Sequence, residues 1–121
     1  MSFVGRVGRA ALGAPFVLLG YEAAADPGGR VDAAAALGVP DPELAVRLNG
    51  AAMVAGGVAL ILNVLPRAAA LGLVASLVPT TLVGHSYWKH ADPQMRTTQR
   101  IQLLKNLGLA GALLAVAAAP E

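Results

Sequence analysis

Cysteine is absent from the chain. That removes disulfides, thiolate nucleophiles, covalent haem attachment and cysteine-ligated iron–sulfur clusters from what the chain can supply itself, so any redox role needs a bound cofactor or a partner. Charge is also scarce: 13% of the 121 residues are Asp, Glu, Lys or Arg, against roughly 25% in an ordinary soluble domain. So few charges cannot clothe a globule in water. Aromatic residues make up 4%, too few for the Phe- and Tyr-rich interior of a large soluble core. The nine Lys and Arg are dispersed and form no patch, which argues against a nucleic-acid surface despite a net charge of +2. His85 and His90 lack the further ligands of a metal site. No nucleophile elbow, phosphate loop or carboxylate dyad occurs, and Gly5-Arg6-Val7-Gly8 opens a membrane helix with no strand before it, so it is not a dinucleotide fingerprint. The sequence offers no catalytic set.

What is abundant is small and apolar. Hydrophobic residues reach 56%, chiefly Ala, Leu and Val, and Gly occurs 14 times; mean hydropathy is +0.62. Small residues suit close helix packing in lipid. Four apolar stretches, at about 7–25, 48–65, 68–84 and 101–119, each approach the ~20 residues that span a bilayer core as helix. The expected fold is therefore all-α and integral to the membrane: one domain over 1–121, a four-transmembrane-helix up-down bundle. The first stretch has signal-peptide features, with Arg6 and Arg9 before an apolar run and Ala23-Ala24-Ala25 after it; it is expected to persist as a membrane helix. Leu65-Pro66-Arg67 predicts a tight turn between the second and third helices. Asp26-Pro27-Gly28-Gly29 is a turn signal, and 31–37 has room for a short surface helix. Asp41-Pro42-Glu43 and Asp92-Pro93-Gln94 both read as N-cap, proline, first turn, so the last helix is expected over about 93–119 with two polar turns standing out of the bilayer.

Up-down threading puts the N-terminus, the Pro66 turn and the C-terminus on one face, side A, and the two longer loops on side B. Glu22, Asn49, His85, Lys105 and Asn106 then share a depth near side B, with Trp88 placed to roof them or to join Tyr87 in an interfacial belt. Ionisable groups at membrane depth are costly and tend to face the bundle interior. One reading makes Glu22 and Lys105 an ion pair stapling the first helix to the fourth, with the asparagines as interhelical ties. The other makes the cluster a pocket for a quinone or a lipid head group. His85 is a proton carrier or a plain helix terminator, and Lys105 has the length to snorkel. Pro79 is either a kink that frees a carbonyl for Thr80 or Thr81 or an incidental proline. Gly13 with Gly20, and Gly108 with Ala112, fall on packing faces. Three cations on side A (Arg6, Arg9, Arg67) against six on side B (Arg30, Arg47, Lys89, Arg96, Arg100, Lys105) orient side B to the cytoplasm.

Gly84-His85-Ser86-Tyr87-Trp88, Asp92-Pro93, Gln99 and Leu104-Lys105-Asn106-Leu107-Gly108 together resemble the DoxX family of small four-helix bacterial membrane proteins. Gly38-Val39-Pro40 and Leu62-Asn63-Val64-Leu65-Pro66-Arg67 extend the resemblance over nearly the whole chain. In many relatives an acid lies in the second helix near the position of Met53, and that departure puts any acid chemistry carried over to this helix in doubt. The family is named for similarity to a membrane subunit of an archaeal thiosulfate:quinone oxidoreductase. The resemblance therefore implies an accessory or anchoring subunit of a redox- or sulfur-linked complex in the bacterial plasma membrane. Its partners would be the lipid bilayer and membrane or peripheral proteins; whether the chain has an activity by itself the resemblance leaves open, dependence on a partner being the favoured side. A protein binding a quinone or lipid is the alternative; a stand-alone transporter or enzyme ranks last.

Overall fold

The computed structural model describes residues 2–84 and 91–119. Among them are five helices: α1 (Phe3–Ala25), α2 (Gly29–Ala36), α3 (Pro42–Ile61), α4 (Pro66–Gly84) and α5 (Pro93–Ala118). Three of them, α1, α3 and α5, are long and apolar enough to cross a membrane; α4, apolar over Pro66–Leu82, is shorter. The short helix expected at 31–37 is α2, begun slightly earlier.

Helix boundaries follow capping chemistry more than hydropathy. α1 starts four residues before its apolar stretch because the Ser2 hydroxyl accepts from the Gly5 N–H at 3.0 Å. At α5 the Asp92 carboxylate accepts from the Gln94 N–H at 3.2 Å ahead of Pro93, as its sequence predicts. Asp41 precedes α3 but has a left-handed backbone (φ 47°) and makes no side-chain cap bond, so Pro42 alone sets that start. The turn between α3 and α4 is also displaced from the expected one. It occupies 62–65, where Asn63 and Leu65 carry positive φ of 57° and 45°, and Pro66 opens α4 instead of lying in the turn.

α3 is the central element, packed on α1, α2 and α4, while α5 leans on α4 and barely meets α1. Phe16, Met53, Leu60, Ala70, Leu73, Leu77 and Leu113 form the core. Met53 is one of its buried members. Leu18, Leu62, Leu71, Val78 and Leu107 point outward, an arrangement that costs little when the solvent is lipid.

α1 and α3 approach closely through glycine. A Cβ on Gly13 would lie 2.7 Å from the Gly57 carbonyl oxygen, and one on Gly57 would lie 2.8 Å from that of Gly13. Gly20 and Gly50 repeat the relation two turns away, so a seven-residue glycine spacing on each helix meets its antiparallel counterpart. This is the small-residue packing of membrane helices, and it uses the Gly13–Gly20 face read from the sequence. The Gly108–Ala112 face is different: Gly108 has nothing within 4 Å of its added Cβ, and both residues are exposed.

Candidate functional site

The polar residues within the bundle converge on α4. Its Ser76, Thr80 and Thr81 sit one turn apart or side by side, so Ser76 and Thr80 share a face. The Asn49 amide of α3 lies against that face. Its Nδ2 donates to Thr80 Oγ1 at 2.8 Å, and its Oδ1 accepts from Ser76 Oγ at 2.8 Å. Asn106 of α5 approaches from the other flank, its Nδ2 donating to Thr81 Oγ1 at 3.0 Å. The threonine hydroxyls in turn donate to carbonyls four residues back, Thr80 to Ser76 and Thr81 to Leu77. Those are not the carbonyl that Pro79 deprives of its helical donor, which belongs to Ala75; the expected role of Thr80 and Thr81 is thus displaced by one and two residues.

Asn49 and Asn106 are therefore both tied to α4, as interhelical hydrogen bonds. Glu22 and Lys105 are not brought together. Both are exposed, and the described ion pair of Glu22 is with Arg30 of α2, at 3.9 Å with both side chains largely in solvent. Such a pair contributes little. The expected Glu22–Lys105 staple fails because α5 rests on α4, away from α1. His85 and Trp88, the remaining members of the predicted cluster, lie outside the described residues, as does Tyr87.

A model of the DoxX family matches residues 6–86. The chain belongs to the DoxX family. Neither a curated protein nor a solved structure matches it. The matched stretch runs from α1 to the end of α4 and stops short of α5, so the Leu104–Gly108 segment that carries part of the sequence resemblance lies beyond it. Membership and the apolar helices together make this a multi-pass membrane protein.

Two polar residues of this DoxX protein matter more than its sequence announces. Ser76 is a buried polar residue at the α3–α4 contact; the signal that would have found it is an i, i+4 Ser/Thr pair on an otherwise apolar helix. Arg47, read above only as a count toward orientation, donates to the carbonyls of Ala24 at 2.6 Å and Ala25 at 3.3 Å, and pairs with Glu43 at 3.1 Å. It places a cation on the last carbonyls of α1, where the helix dipole is negative. Arg67 does the same for α5, donating to the Ala119 carbonyl at 2.7 Å. A cavity of about 330 Å³ opens near side B beside Ala91, Pro93, Arg96, Thr97 and Arg100. Among the described residues its lining includes none of those read as a ligand site.

Proposed function

We propose that this DoxX protein crosses the bacterial plasma membrane four times, with α1, α3, α4 and α5 as its spans, and acts as an accessory or anchoring subunit of a redox- or sulfur-linked membrane complex. The observation that carries this reading is where the polar side chains are engaged. Asn49, Ser76, Thr80, Thr81, Asn106, Arg47 and Arg67 all join one helix to another or close a helix turn. They are engaged in architecture, which is what an anchoring subunit requires. α5 adds to the argument, since Leu113 is its buried residue while Ile101, Leu104, Leu107 and Leu114 remain exposed for lipid or a neighbouring subunit. Although α4 is short, its 19 residues at about 1.5 Å each reach about 28 Å, close to the hydrocarbon thickness. Six Lys and Arg on side B against three on side A support a cytoplasmic side B in this reading. Mild-detergent extraction from native membranes followed by native mass spectrometry tests the assignment. Stoichiometric membrane or peripheral protein partners are expected; a chain that always emerges alone, under conditions that preserve other membrane complexes, overturns it.

One observation favours a second reading, in which the chain binds a quinone or lipid. α1 and α5 hardly touch, leaving a lateral seam toward the leaflet between the helices that bear Glu22 and Lys105. A persistent mass increment from an isoprenoid or lipid, with no protein partner, would select this reading.

A further inference from the structure

Six of the seven acidic residues fall on side B, and the seventh, Glu121, follows the last helix on side A. None precedes Glu22, none lies between Glu43 and Asp92, and none lies between Asp92 and Glu121. Side A therefore carries Arg6, Arg9 and Arg67 against one acid, Glu121, whereas the side B cations are interspersed with acids. α1 and α4 also begin on side A, and neither has an acid in its first turn. α3 and α5 end on the same side, so the helix dipoles largely offset one another and the positive field is that of the arginines.

Within this face is a cavity of about 240 Å³ lined by Arg6, Arg9, Leu60, Ile61, Leu62 and Asn63. Arg9 Nη1 donates to Asn63 Oδ1 at 2.7 Å, which fixes one edge of its guanidinium and leaves the rest of the donor fork for another acceptor. Asn63 is held where a short polar residue is tolerated, in the left-handed turn between α3 and α4 (φ 57°). Arg6 lies one turn from Arg9 on α1 and is exposed. Two guanidiniums flanking one cavity match a phosphate, which accepts several charge-assisted hydrogen bonds at once. The remaining lining is apolar, and Leu62 is exposed beside it, as suits the glycerol end of an acyl chain but not a free ion. The cavity sits where α1 begins and α3 ends, at the level of the head groups.

We propose that the Arg6–Arg9–Asn63 cavity is a binding site for the phosphate of an anionic phospholipid from the side A leaflet. Native mass spectrometry of the purified full chain tests it, with short-chain phosphatidylglycerol, short-chain phosphatidylcholine and inorganic phosphate added in separate titrations. Phosphatidylglycerol is expected to be retained most strongly. The double variant Arg6→Gln, Arg9→Gln should weaken that retention roughly tenfold or more. Asn63→Asp supplies a second test, because Asp tolerates the left-handed turn and still accepts from Arg9 while adding a negative charge to the site. It should lower retention of the anionic lipid with unchanged helicity and thermal midpoint. Arg96→Gln with Arg100→Gln, at the side B cavity, should leave retention as in the parent. Equal retention of the two lipids overturns the proposal, as does undiminished binding in both side A variants. Phosphate bound as tightly as phosphatidylglycerol, or a loss confined to the Arg96 and Arg100 variant, overturns it as well.

Discussion

Gly20 and Gly50 face each other so closely that a Cβ on either would lie 2.6 Å from the other's carbonyl oxygen. The obstruction is backbone, so it cannot be relieved by a rotamer change; α1 and α3 would have to separate. Gly20→Ala or Gly50→Ala should therefore destabilise the bundle by roughly 1–3 kcal/mol, the range for overpacking a tight core. Gly8→Ala is the counterpart, since nothing lies within 4 Å of its added Cβ. There the substitution should stabilise slightly, by roughly 0.5–1 kcal/mol, through the better helix propensity of alanine. Thermal unfolding in detergent, followed by circular dichroism, distinguishes the two signs.

Arg47 joins α3 to the carboxyl end of α1 through the carbonyls of Ala24 and Ala25. Arg47→Leu should destabilise by about 1 kcal/mol, the scale of a cation at a helix C-terminus. Its ion pair with Glu43 is exposed on both sides and accounts for only a few tenths of that. Glu43→Gln should accordingly change the unfolding midpoint much less than Arg47→Leu does. Equal effects would show that the ion pair, not the carbonyl contact, is what matters.

The bond between Asn49 and Ser76 is suited to a double-mutant cycle. Each residue satisfies the other at 2.8 Å, and Asn49 also reaches Thr80. Asn49→Ala and Ser76→Ala, alone and combined, should give a coupling energy of about 0.6–1.7 kcal/mol, the span seen for side-chain hydrogen bonds between membrane helices. Additive effects would mean that neither polar group depends on the other and that apolar contact alone holds α3 to α4.

The number and place of the long helices, the Asp92-Pro93 cap and the Gly13–Gly20 face are legible in the sequence because they depend on local composition and on helical period. The lateral arrangement is not. Threading orders residues by depth along the membrane normal, and Glu22, Asn49, Lys105 and Asn106 do share the side B half. Depth is silent about which helix lies beside which. Glu22 turns outward to Arg30 of a short surface helix that the depth argument left out, and Asn49 and Asn106 meet opposite flanks of α4 instead of each other. Arg47 escaped notice for the same reason: its partners are main-chain carbonyls, which leave no mark in the sequence.

Lys105 and Asn106 are adjacent in the chain and should respond oppositely to the same substitution. Asn106 turns inward and bonds Thr81, so Asn106→Leu removes a tie between α5 and α4 and should destabilise by roughly 0.6–1.7 kcal/mol. Lys105 lies among the exposed Leu104 and Leu107, and among the described residues it has neither an ion pair nor a hydrogen bond. An outward lysine at this depth extends its ammonium toward the head groups and contributes little to holding the helices. Lys105→Leu should then leave stability within about 0.5 kcal/mol of the parent, or raise it in a bilayer, where leucine suits the hydrocarbon better. Unfolding of both variants in lipid nanodiscs measures the contrast. If Lys105→Leu instead destabilises by as much as Asn106→Leu, and Glu22→Gln reproduces its effect, then Lys105 reaches Glu22 across the α1–α5 seam. The depth ordering would then have identified a working pair after all.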